Sequence, residues 1–245
     1  MKKLTGVLLI VLMIACQEKK PQLESIADEN LTTEQVDSIL NQFKFTYESP
    51  IIIDSSSQVM IPISTKLLDR RKSYSKDGYY SEDYPRYWNI LFYNRVSGET
   101  RLLTENKVRI SSIYVNKDDE YLEEHRVIKG KVLYEIGDTD TNHDGKLSGK
   151  DLEYLFSSET DGTNLKRISP INEELQYFQV IPNTKEILIR TLRDINQDSI
   201  FNRYDETIWY KAEWVNADWK LKEIIDDTGR KQIEKLYFDQ WLKKQ

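Results

Sequence analysis

EYLFSSETDGTNLKRIS, residues Glu153–Ser169, carries the pattern from which the rest of the chain is read. The apolar run Tyr154-Leu155-Phe156 meets the turn Thr160-Asp161-Gly162-Thr163-Asn164 and returns through Leu165-Lys166-Arg167-Ile168. Aromatic and branched residues on both sides of a glycine-containing turn predict a β-hairpin. Two other stretches align with it. Asn89-Ile90-Leu91-Phe92-Tyr93 turns at Gly98 and returns as Arg101-Leu102-Leu103-Thr104, while Thr207-Ile208-Trp209-Tyr210 turns at Asn216-Ala217-Asp218 and returns as Leu221-Lys222-Glu223-Ile224. Each hairpin follows another apolar run and a polar insertion: Val59–Ile63 then residues 69–86, Val132–Ile136 then 138–151, Ile187–Thr191 then 194–206. Self-similarity at such a spacing marks a repeat architecture whose units bury their faces on one another. Between residues 45 and 228 the helical period is absent, so the body is predicted to be mainly β.

The hairpin from Tyr154 to Ser169 resembles the blade motif of TolB-like propellers, with its apolar-aromatic run, its Asp161-Gly162 turn, its basic residues and its final Ile168-Ser169. Residues 90–104 keep Gly98 without the Asp-Gly pair, and the third unit departs further with Asn216-Ala217. The resemblance implies antiparallel, propeller-like blades. Rings of this kind close with about four to eight blades, and here there are about three repeats, with Phe45–Asp54 as the candidate for part of a fourth. Amphipathic helices are expected at both ends of the body. Over 31–44, Thr32 and Gln35 form a capping box ahead of Val36, Ile39, Leu40 and Phe43 on one face. Over 229–245, Ile233, Leu236, Tyr237, Trp241 and Leu242 make a second apolar stripe, expected to pack across the sheets.

The insertion of the second unit reads Asp140-Thr141-Asn142-His143-Asp144-Gly145-Lys146-Leu147-Ser148-Gly149-Lys150-Asp151. It resembles the EF-hand calcium loop. Ca²⁺ takes six to eight hard oxygens, and alternate residues of a tight loop converge on one point. The resemblance implies Asp140, Asn142, Asp144, the Lys146 carbonyl, Ser148 and Asp151 as ligands, Gly145 for the sharp turn and Leu147 as the anchor to the core. Asp151 stands where the family has Glu, and the flanks Val132–Ile136 and Tyr154–Phe156 read as strands, so this is a calcium loop set between strands. Asp, Asn and Gly are also what ordinary turns prefer.

The third unit repeats the spacing over 194–205. Asp194, Asn196, Asp198, the Ile200 carbonyl, Asn202 and Asp205 are its candidate ligands, with Ser199 in place of the glycine and Phe201 as the anchor. The insertion of the first unit lacks the spacing and holds Tyr74, Tyr79, Tyr80 and Tyr84 among Arg70, Arg71, Lys72 and Arg86, a solvated loop or a contact surface for peptide or glycan. His143, at a non-ligand position, and His125, in a charged stretch, read as surface residues.

The N-terminus supplies an address. Lys2 and Lys3, the apolar run Leu8–Ile14 and Ala15 form a bacterial signal peptide over 1–15, too short to span a bilayer. Leu12-Met13-Ile14-Ala15-Cys16 resembles the lipobox of bacterial lipoproteins, which implies a lipid on Cys16, the only cysteine, with residues 16–30 as a polar tether. By resemblance to the sorting rule of that family, Gln17 favours the outer membrane of a Gram-negative cell.

Composition narrows the chemistry. With 35 basic against 41 acidic residues there is no excess of positive charge to follow a phosphate backbone, so a nucleic-acid partner is not expected. Two histidines and one cysteine leave little for a zinc site or a histidine-based triad. No phosphate loop, nucleophile elbow or H-E-x-x-H motif occurs. The expectation is an envelope lipoprotein, not an enzyme, that binds a protein or glycan partner on a calcium-stabilised scaffold. The competing expectation is an envelope hydrolase acting on glycan or peptide through carboxylates.

Overall fold

The computed structural model describes residues 32–41, 43–53, 56–67, 86–115 and 128–243, all within the unit Leu31–Gln245. The signal peptide, Cys16, the tether, His125 and most of the tyrosine-rich insertion lie outside the described residues.

Three antiparallel sheets follow one another along the chain. The first runs β1 (Phe43–Tyr47), β3 (Gln58–Leu67), β4 (Asn89–Asn94), β5 (Thr100–Leu102), with β2 (Ile51–Ile52) also paired to β3. The second is the meander β6 (Arg109–Tyr114), β7 (Lys131–Gly137), β8 (Tyr154–Glu159), β9 (Lys166–Arg167). The third is the meander β10 (Glu173–Val180), β11 (Glu186–Arg193), β12 (Glu206–Val215), β13 (Asp218–Glu223). The three predicted hairpins are the last two strands of each sheet, and the apolar runs before them are β3, β7 and β11. The stretch 45–54 begins no fourth sheet. Tyr47 pairs with Ile63 and Ile52 with Val59, so both of its strands extend the first.

Side chains alternate across a strand, and the middle sheet uses both faces. Val132, Tyr134, Ile136, Tyr154 and Phe156 join Met60, Ile90 and Phe92 of the first sheet in one buried cluster. The intervening Leu133 and Leu155 join Ile187, Ile189, Ile208, Tyr210 and Ala212 of the third sheet in another. The second sheet is therefore held between its neighbours. Polar contacts fix the second interface: Trp219 Nε1 donates to Ser157 Oγ at 2.7 Å, and Lys131 Nζ lies 3.4 Å above the Trp214 ring and 2.6 Å from Glu159. At the first interface Gly162 has φ +79°, and a Cβ there would land on the Phe92 ring. The Asp-Gly turn thus needs glycine for conformation and for space.

Both helices form. In α1 (Thr33–Leu40), Thr32 N–H donates to Gln35 Oε1 at 2.8 Å and Gln35 N–H to Thr32 Oγ1 at 3.3 Å, which closes the capping box. Its Val36 and Leu40 remain exposed, so the docking its apolar face predicts is not seen at these residues. The other helix, α2 (Asp227–Tyr237), starts with Asp226 accepting from Gly229 N–H at 2.8 Å and runs on as a π-helical turn, Phe238–Leu242. It does not pack across the sheets as expected: none of its residues is buried, and Trp241 is 77% exposed. Arg230, near its start, is held by Glu206 at 2.9 Å and Glu223 at 2.5 Å, which ties the first turns to the end of the third sheet and leaves the rest outside.

Candidate metal centre

The two insertions predicted to be ion loops occupy the same place in their sheets, between the second and third strands: 138–153 joins β7 to β8, and 194–205 joins β11 to β12. Over residues 140–151 and 194–205 their sequences differ at eight of twelve positions, yet their internal hydrogen bonds repeat. Asp140 accepts from Gly145 N–H at 2.8 Å, and Asp194 from Ser199 N–H at 2.8 Å. Asn142 accepts from Asp144 N–H at 3.0 Å, and Asn196 from Asp198 N–H at 3.1 Å. Asp144 accepts from Lys146 N–H at 2.9 Å, and Asp198 from Ile200 N–H at 2.8 Å. Asp151 and Asp205 close their loops on Ser148 N–H and Asn202 N–H, each at 2.7 Å.

The backbone repeats as well. His143 and Gln197 have φ of 57° and 61°, and Gly145 and Ser199 have φ of 82° and 60°. Left-handed residues at the fourth and sixth positions cost a side-chain-bearing residue about 1–2 kcal/mol. Gly145 avoids that cost and Ser199 does not. Phe201 also does what its position implies. It packs against the cluster between the first two sheets, so the loop of the third sheet reaches across the stack.

The loops differ in how their last carboxylate is used. Asp151, 5% exposed, accepts from Ser148 N–H at Oδ2 and from Thr141 and Asn142 N–H at Oδ1, the last two at 2.8 and 3.3 Å. Asp205 accepts from Asn202 N–H at Oδ2, while its enclosed Oδ1 has no hydrogen-bond partner. Glu174, from β10, stands nearby: burial raises its pKa first, and the charge of Asp205 raises it further. A carboxylate oxygen shut away from water without a partner is costly, and a hard cation with its oxygen preference would satisfy it.

Charge pairs brace both loops. Asp138, before the first, lies 2.6 Å from Arg167, and Glu153, after it, binds Arg109 and accepts from Ser111 at 2.9 Å. Arg193, before the second, donates to Glu173 at 2.8 Å and to Tyr210 Oη at 2.6 Å, and Glu206 follows it. Burial and the adjacent Glu173 push the Tyr210 phenol up to about 12.

Among the described residues no three His, Cys, Asp or Glu side chains stand together as a metal cluster. The carboxylates of each loop are turned onto backbone N–H groups, which separates them. Sequence reading missed Glu174, for the plain reason that it enters from another strand. The predicted ligands Asp140, Asn142, Asp144, Lys146, Ser148 and Asp151 share one loop, as do Asp194, Asn196, Asp198, Ile200, Asn202 and Asp205. Arg86, at the end of the tyrosine-rich insertion, lies 5.3 Å from the Tyr87 ring centroid. No helix of the described residues is long and apolar enough to cross a membrane. No family model matches the sequence, and no curated protein does.

Proposed function

We propose that the chain is a calcium-binding envelope lipoprotein. Its three sheets act as propeller-like blades that present a partner-binding scaffold, and calcium in the two loops is structural. The observation that carries this reading is the repetition of one side-chain-to-backbone pattern in two loops of different sequence at the same connection of two sheets. Asp, Asn, Asp and Asp recur at positions one, three, five and twelve of both loops, the positions that carry the ligands of an EF-hand-type calcium loop. The partnerless Asp205 Oδ1 is a second support, since it is the kind of group an ion would complete.

In such a site Asp140, Asn142, Asp144, the Lys146 carbonyl, Ser148 and Asp151 hold the first ion, and Asp194, Asn196, Asp198, the Ile200 carbonyl, Asn202 and Asp205 the second. Bound calcium would lock each loop against its braces and, through Phe201, clasp the third sheet to the first interface. Extracellular calcium modules bind with dissociation constants of about 10⁻⁴–10⁻³ M, so the ions would be resident and would not signal. Lipid on Cys16, with about 0.8 kcal/mol from each buried CH₂ of two or three chains, would hold the body at a membrane. Equilibrium dialysis of the full-length chain should find about two calcium ions bound at millimolar concentration. Fatty-acid label should enter the wild type and not Cys16→Ser. Absence of bound calcium would reduce the loops to turns, and an unlabelled wild type would remove the anchor.

A further inference from the structure

From Ile233 to Leu242 six of ten residues are apolar: Ile233, Leu236, Tyr237, Phe238, Trp241 and Leu242. All six are more than half exposed, and Trp241 is the most exposed of them at 77%. They fall in two rows. Ile233, Tyr237 and Trp241 follow one another at i+4 with Leu236 beside them, while Phe238 and Leu242 run alongside at the same spacing. The charges around these rows are mostly basic, with five basic and two acidic residues from Arg230 to Lys244 in a chain whose net charge is −6. Both acids are already engaged. Glu234 lines a cleft against the third sheet with Trp209 and Ile225, and Asp239 is paired with Lys235. What this end shows to its surroundings is therefore apolar side chains with the exposed Lys231 and Lys243, and Lys244 follows in the sequence.

We propose that this helix is a second membrane contact, lying in the headgroup layer of an anionic lipid bilayer with its apolar rows sunk toward the acyl chains and its lysines among the phosphates. The proposal rests on the lipid anchor read at Cys16 for the presence of the membrane, while the helix supplies its own chemistry. Interfacial helices carry Trp, Phe and Leu on one face and Lys or Arg on the other, and Trp and Tyr are enriched at the headgroup level. Charge and shape both favour lipid over protein. Another exposed apolar surface, the outward face of the first sheet on a second copy, pairs Phe45 with Thr65, Tyr47 with Ile63 and Val59 with Tyr93, and none of these carries a charge to meet the lysines. A groove in a partner protein takes the residues at i, i+3, i+4 and i+7 of one row, which here would leave Phe238 and Leu242 in water. A bilayer interface is fluid and closes round both rows, and lysines snorkel from it to anionic headgroups. The mounting of the helix agrees. Arg230 fastens its start to Glu206 and Glu223 of the third sheet, so the apolar part is held out from the body at a fixed place.

The test uses the full-length protein in vesicles of equal parts phosphatidylglycerol and phosphatidylcholine brominated on its acyl chains, with tryptophan emission as the readout. The other tryptophans, Trp88, Trp209, Trp214 and Trp219, lie in or beside the sheets and none is exposed, so the difference between wild type and Trp241→Phe isolates Trp241. Wild type should lose about three times as much emission to bromine as Trp241→Phe does. Leu236→Glu with Leu242→Glu, at exposed positions whose change leaves the melting temperature within a few degrees, should bring the wild-type loss down to that of Trp241→Phe. Equal quenching of wild type and Trp241→Phe, the result if a second copy or another protein covers the stripe, would overturn the proposal. So would undiminished quenching of Trp241 when unbrominated phosphatidylcholine replaces the phosphatidylglycerol. Fatty-acid labelling keeps the two membrane contacts apart: Trp241 quenched in an unlabelled wild type removes the anchor and keeps the helix, and Trp241 unquenched in a labelled wild type removes the helix and keeps the anchor.

Discussion

Asp151 and Asp205 hold the same position in two loops and do different physical work. Asp151 is buried and accepts three backbone N–H groups, so it supports its loop with or without an ion. Asp205 accepts one and leaves an oxygen unsatisfied. In EGTA, Asp151→Ala should cost about 2–3 kcal/mol by orphaning those donors, a fall of about 4–12 °C in a domain of this size. Asp205→Ala should cost about 1 kcal/mol or less in EGTA and remove the second loop's share of the stability that millimolar calcium is expected to add to the wild type. Differential scanning calorimetry in both buffers checks the pair. Equal losses in EGTA would contradict the division of labour. These loops were readable from sequence as a matched pair because their patterned residues all lie within twelve consecutive positions. Glu174 was not, because it reaches the second loop through the register of β10 with β11, where Glu174 pairs with Leu192 just before Asp194.

The hairpins were the legible elements, and the first strands of the second and third sheets were the illegible ones. β4, β8 and β12 carry apolar and aromatic runs and end in turns with a left-handed residue, Gly98, Gly162 and Asn216-Ala217. β6 and β10 each carry a bulge, between Ile110 and Ser112 and between Leu175 and Tyr177, and a bulge breaks the period of two on which strand reading depends. α2 was visible as a stripe, but nothing in the stripe says that Arg230 will hold the helix by one end. The turn at Gly162 tests how tightly an element can be specified. Gly162→Ala places a methyl group on Phe92 in a left-handed conformation, so it should cost about 2–4 kcal/mol. Gly145→Ala meets no atom and should cost about 1–2 kcal/mol. Urea unfolding of the two variants compares them, and equal midpoints would mean that the first interface is looser than described.

Across the whole molecule, buried phenols tie stability to alkaline pH. Tyr114 is pushed up to about 12 by burial and by its 2.7 Å hydrogen bond to Glu135, Tyr210 to about 12 by burial and Glu173, and the fully buried Tyr134 further up. An unfolded phenol titrates near 10. The folded state therefore keeps its protons longer than the unfolded one, and the contribution is complete below pH 10 and lost as pH rises toward 12. Urea midpoints should hold up to about pH 10 and fall between 10 and 12, and Tyr114→Phe with Tyr210→Phe should flatten that fall. A wild-type midpoint unchanged at pH 12 would show that these phenols are not buried in solution.

The middle sheet, covered on both faces, also sets an order in time. A chain made from its N-terminus completes the first sheet, then the second, and Leu133 and Leu155 find no cover until β11 and β12 have been synthesised. Until then a finished sheet shows a bare apolar face, the state in which nascent chains are most open to misassembly and to chaperone capture. A ribosome-stalled chain ending before Glu173 should thus be cleaved by protease within the second sheet. One stalled far enough beyond Glu223 for the third sheet to leave the ribosome should resist there, with protection arriving in a single step near the end of translation.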